Sequence, residues 1–139
     1  KNMIVDDLVV CVIALGKNLF YNSSMESCLL ITSNNKKEHQ KGKVQFIDAR
    51  NHIKQEKTIS YLLPNHIEYI YNQFLKFENV ENECRIATIE EIEENNFSLN
   101  IPLYIRSKKI ETKSLNFNYE NRLSNSAQLR KSVVKLLKN

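Results

Sequence analysis

Glycine and proline are scarce: Gly16, Gly42, Pro64 and Pro102 are the only ones in 139 residues. Loops that cradle phosphate need clustered glycines, and no P-loop, GxGxxG or GxSxG is present. Apolar runs are short. The longest, Leu8–Leu15, is strand-sized and falls well below the roughly 18 residues that span a membrane. No signal peptide is visible, so the expected location is the cytoplasm, away from any membrane. The three cysteines, Cys11, Cys28 and Cys84, are odd in number and form no CxxC. They read as buried free thiols of a reducing compartment. His39, His52 and His66 lack metal-ligand spacing with one another or with the cysteines, so no metal site is expected. His66 opens a helix and reads as a surface residue. Composition and spacing alone name no reaction.

What is present suits one folded domain. Hydrophobic residues make up 42%, which argues against disorder. The chain starts at Lys1, not Met, which suggests a preceding piece. Charge is unevenly spread. Residues 78–94 hold seven acids and one base, residues 34–57 seven bases and three acids, and residues 106–139 nine bases and two acids. Basic stretches suit a polyanion, although a solvated face is the commoner reason for them.

Leu8–Leu15 and Glu26–Thr32 read as buried strands, and Lys43–Ala49, which alternates, as a third. Strands joined by loops of about ten residues suit antiparallel pairing. Asp6 and Asp7 mark the turn before the first strand. Pro64 should open a helix to about Phe77, with Ile67, Ile70, Tyr71, Phe74 and Leu75 on its apolar face. Cys84–Ala87 suits a short strand. Thr88 and Glu91 form a capping box for a helix to about Asn95, whose glutamates are a solvated face. Phe97–Ile105 reads as extended around Pro102. Residues 106–120 show no period and read as a linker. Residues 121–139 read as an amphipathic C-terminal helix. The expectation is an α+β domain with a small, mainly antiparallel sheet. Leu8–Leu15 would be a central strand missing one neighbour, so an open edge and self-association are expected.

Four blocks, CVIALGKNLFYNSSMESCLLIT, KGKVQFIDAR, LLPNHIEYIYNQF and IATIEEIEENNFSLNIPLYI, occur in that order. Together they resemble the C-terminal part of the modification (M) subunit of type I restriction-modification systems, an adenine-specific (N-6) DNA methyltransferase family. The resemblance covers roughly residues 7–105. It departs from the family at Gly16, where proline is usual, and at Leu103, where arginine often precedes the tyrosine. It implies that the strands are the last ones of a Rossmann-like methyltransferase sheet, and that the whole subunit uses S-adenosylmethionine. The family's glycine-rich cofactor motif and its Asn-Pro-Pro-aromatic motif have no match here. The chain alone is therefore expected to hold no cofactor, carry no catalytic residue and be inactive.

The resemblance also assigns roles. The loop LGKNLFYNSS would reach a flipped adenine, with Phe20 or Tyr21 stacking on it; the plainer alternative is that Phe20 plugs the core. Lys36, Lys37, Lys41 and Lys43 are candidates for the DNA backbone. Leu123, Leu129, Val133, Leu136 and Leu137 would dock on the specificity subunit. Partners would be that subunit, the remainder of the methyltransferase, and DNA. A second reading is a non-catalytic module that binds a specificity subunit or DNA backbone.

Overall fold

A computed structural model describes residues 1–20 and 23–106. Most of the expected linker and all of the expected C-terminal helix lie outside them.

Four strands form the main sheet: β1 (Val9–Leu15), β2 (Ser27–Thr32), β3 (Lys43–Ala49) and, after a helix, a strand at Cys84–Thr88. Between β3 and the helix lies a small hairpin, β4 (Lys54–Glu56) with β5 (Ile59–Tyr61). The sheet strand at Cys84–Thr88 is therefore β6, and the spatial order is β2-β1-β3-β6. β1 pairs antiparallel with β2 and parallel with β3, and β3 pairs antiparallel with β6. The sheet is α+β and mainly antiparallel, as expected.

Two readings of the strands need correction. β3 does not return beside β2 but crosses to the far side of β1 and runs parallel to it. β1 consequently has partners on both sides and all seven of its residues are buried, as an all-apolar strand requires. Among the described residues the two outer strands are β2 and β6, and it is β2 whose Cys28, Leu29 and Leu30 are exposed. Cys28 was expected to be buried; only Cys11 and Cys84 are.

The strand period sorts the core onto two faces. Val12, Ala14, Val44 and Phe46 meet Ala87, Ile92, Ile101 and Tyr104 on one face, where the Phe46 and Tyr104 rings stack at 4.0 Å. Cys11, Ile13, Leu15 and Ile47 meet Ile70 and Cys84 on the other. Burial drives the Cys11 thiol far above its ordinary pKa, with Cys84 adding to the rise, so it stays protonated and inert. α2 (Pro64–Lys76) begins at its proline as expected and covers this second face only in part. Ile70 is buried, but Ile67, Tyr71 and Leu75 of the same apolar face stay exposed.

α3 (Ile89–Glu94) is capped by Thr88, whose Oγ1 accepts the Glu91 backbone N–H at 3.3 Å. Residues 97–105 are not a simple extension: Asn96 and Phe97 are left-handed, and Pro102 sits within a 3-10 turn at Ile101–Leu103. α1 (Asn2–Val5) precedes β1 and buries Ile4.

Asp7 does more than mark a turn. Its carboxylate accepts Lys36 Nζ at 2.6 Å and the Gly42 N–H at 2.9 Å, tying the chain before β1 to both ends of the β2–β3 loop. Lys36 Nζ also donates to the Lys43 carbonyl at 2.7 Å. Replacing Asp7 by alanine strands a buried ammonium, a cost of about 2–3 kcal/mol once Asp7's partial exposure is discounted. Urea unfolding should show it as a lower midpoint with unchanged slope, whereas a midpoint equal to that of the native chain would refute the pair's role.

Candidate functional site

The β1–β2 loop leaves the sheet at Gly16 and returns at Ser27, which pairs with Leu15. Its outgoing limb is gripped from below. A Cβ on Gly16 would lie 2.5 Å from Ile53 Cδ1 and 2.7 Å from the Arg50 carbonyl oxygen, so this close approach requires glycine. Asn18 is left-handed, a conformation asparagine tolerates, and its carbonyl accepts the Ser60 N–H at 2.8 Å. Leu19 then packs into the core, and Phe20 points outward, 56% exposed. The core contact in this loop thus belongs to Leu19. Tyr21 lies outside the described residues.

Arg50 stands at the returning limb. Its Nε and Nη2 donate to the two Asp48 carboxylate oxygens at 2.8 and 2.6 Å, and its Nη1 donates to Glu26 at 3.4 Å. Burial raises the Asp48 pKa, but hydrogen bonds and charge from Arg50 outweigh it and hold the carboxyl below its ordinary 3.8. Asp48 therefore contributes stability fully above about pH 3.8, lost as pH falls through its lower folded value. Asp48→Asn should remove that contribution. Between pH 5 and 3, roughly, the native chain should lose more urea resistance than the variant, and parallel curves would refute it. Arg50 and Asp48 are not among the site residues expected from sequence, although both lie within the block KGKVQFIDAR. An Asp-x-Arg at the end of a strand, beside a loop, was the available signal.

Arg50 lines a cleft of about 420 Å³ beneath the loop, shared with Glu26, Ser27, Cys28 and Asn100 over an apolar floor. Across the sheet, a second cleft of about 370 Å³ is lined by Leu29, Ile31, Leu62, Ile67, Tyr71 and Phe74. It continues the open β2 edge.

The candidate lysines are not equivalent. Lys36 is buried and committed to Asp7, which removes it as a phosphate contact. Lys37, Lys41 and Lys43 are exposed, and Lys41 pairs with Glu38. Leu123, Leu129, Val133, Leu136 and Leu137 lie outside the described residues. Among the described residues no cluster of His, Cys, Asp and Glu could hold a metal, and no helix is long and apolar enough to cross a membrane.

The antiparallel β1–β2 pair joined by this loop is what the family resemblance implied, whereas the parallel β1–β3 pair was not part of it. The N-6 DNA methylase family model matches residues 1–113, and the chain belongs to that family. Among curated relatives, it is 39% identical to the type I restriction enzyme MjaVIII methylase subunit of Methanocaldococcus jannaschii, over 76% of this chain and 19% of that protein. It is 26% identical to the MpnII methylase subunit of Mycoplasma pneumoniae, over 99% of this chain and 26% of that protein. The crystal structure of a type I restriction-modification methyltransferase subunit from Streptococcus thermophilus superposes with a TM-score of 0.70 at 30% identity, over 76% of this chain and 22% of that one. The chain thus spans about a fifth to a quarter of the length of these proteins.

Gly16 is packed against Ile53 and Arg50, and Gly42 closes the turn held by Asp7.

Proposed function

We propose that this chain is the segment of a type I restriction-modification adenine methyltransferase subunit that presents the target-base loop and completes the sheet of the rest of the subunit. The observation that carries this reading is Phe20: the loop's core contact is made by Leu19, and the neighbouring aromatic ring is turned outward beside gripped limbs. A base taken out of the DNA stack loses its stacking partners, and an exposed aromatic face restores part of that loss. S-adenosylmethionine and the groups that hold the adenine amino nitrogen would come from the remainder of the subunit. Lys37 and Lys43, both exposed, would contact DNA phosphate.

The remainder would dock on β2. Among the described residues no strand lies on the outer side of β2, and apolar side chains project from both of its faces. In sequence, residues 121–139 pair an apolar stripe with a basic one, and Leu123, Leu129, Val133, Leu136 and Leu137 would bind a helix of the specificity subunit.

The test is a graft. Residues 1–108 replace the matching stretch of the Methanocaldococcus jannaschii subunit, and adenine N6 methylation of its DNA is measured with the specificity subunit present. Methylation by the graft supports the reading. A folded graft that binds S-adenosylmethionine and its specificity subunit yet methylates nothing, while the parent does, would overturn it.

A further inference from the structure

We infer that Arg50 is a positioning residue that clasps the β1–β2 loop and sets where Phe20 is presented. The inference rests on the reading of that loop given above, but its structural half stands alone.

Within the described part of the loop itself there is little to hold a shape; Ser23 donates to the Phe20 carbonyl at 3.1 Å. The restraints come from one short stretch, residues 48–60, which follows β3. It holds the outgoing limb twice, through the Ile53 and Arg50 contacts at Gly16 and the Ser60–Asn18 hydrogen bond. It holds the returning limb through Arg50 and Glu26. Asp48 makes Arg50 a rigid strut, because a two-pronged guanidinium–carboxylate pair fixes direction as well as charge. The Asp48 side chain is 5% exposed, whereas that of Glu26 is 46% exposed. The strut is therefore anchored in the domain and reaches out to the loop. A loop ordered in advance spends less binding free energy on ordering when the base arrives.

The conservative probe is Glu26→Gln, which leaves the Asp48–Arg50 pair intact; Arg50→Ala is the stronger one. Both are made in the full chain, and amide hydrogen exchange is followed residue by residue. Loop amides at 17–20 and 23–26 should exchange faster, by about threefold for Glu26→Gln and tenfold for Arg50→Ala, with β1 and β3 amides unchanged. Arg50→Lys, which cannot make the two-pronged contact, should fall between native and alanine. The double variant should show no more than Arg50→Ala, because both act on one contact. If Arg50→Ala unfolds the chain, Glu26→Gln and Arg50→Lys still decide. Unchanged loop exchange in folded variants overturns the clasp.

In the grafted enzyme, Glu26→Gln and Arg50→Lys should lower kcat with little change in KM for DNA. Faster loop exchange together with a lower kcat supports the clasp and the loop's role. Faster exchange in an enzyme that Phe20→Ala also leaves fully active supports the clasp and overturns the target-base reading instead.

Discussion

Phe20→Ala in the grafted subunit is expected to cut methylation roughly fivefold to a hundredfold while leaving the melting temperature within a degree or so of the parent. The magnitude follows from base–aromatic stacking, worth roughly 1–3 kcal/mol by alanine substitution. At about 1.4 kcal/mol per factor of ten, that range spans fivefold to over a hundredfold. The unchanged stability follows from exposure: the Phe20 side chain is more than half in solvent, so truncating it leaves no cavity. Leu19→Ala is the contrasting variant. Leu19 packs against the β1–β3 core cluster, and its truncation should lower the melting temperature by several degrees. Methylation and calorimetry on the two variants therefore separate a stacking ring from a core plug. A Phe20→Ala enzyme that methylates at the parent rate, or that melts several degrees lower, would end the stacking role.

The contrast between Leu19 and Phe20 also shows where sequence reading stopped. Both residues stand in a loop with no period, and an aromatic there could face either way. Where hydrophobic period and capping chemistry were strong, the reading was close: Lys43–Ala49 is a strand over those residues, Pro64 opens α2, and Thr88 caps α3. It missed the β4–β5 hairpin, because Lys54–Glu56 and Ile59–Tyr61 are too short and polar to show an alternation. The neighbour of β1 also escaped it. An all-apolar strand announces burial on both faces but not which strand lies on either side, and the ten-residue β2–β3 loop serves a crossover as well as a hairpin. Lys36 looked like one more member of a basic turn. Its burial depends on Asp7, 29 residues earlier, a pairing that no local pattern signals. The resemblance supplied what the residues alone could not: a reaction class, and a reason to look at this loop.

The largest effect on assembly should come from β2. Its central leucines, Leu29 and Leu30, are each 47% exposed and lie on opposite faces of the sheet. Leu29 faces the cleft under α2, where Ile67 and Tyr71 are 54% and 58% exposed. An edge that is apolar on both sides, with free backbone donors and acceptors, is a template for another strand, and no charged side chain within β2 guards it. The double substitution Leu29→Lys, Leu30→Glu puts one charge on each face. Burying a leucine contributes about 1.5–3 kcal/mol relative to leaving it exposed, halved here because each is half-buried already. The two together account for about 1.5–3 kcal/mol of docking, and desolvating two charges adds to the loss. Affinity between this chain and the rest of a methyltransferase subunit, supplied as a separate polypeptide, should fall at least about a hundredfold. The variant chain on its own should fold, because an exposed edge position contributes little to its core. If the native chain self-associates when alone, the same edge should be responsible, and sedimentation should show the variant as a monomer. Val5→Lys, on the exposed side of α1, is the control and should change neither measurement. Undiminished binding of the folded double variant to the remainder of the subunit would show that β2 is not the docking edge.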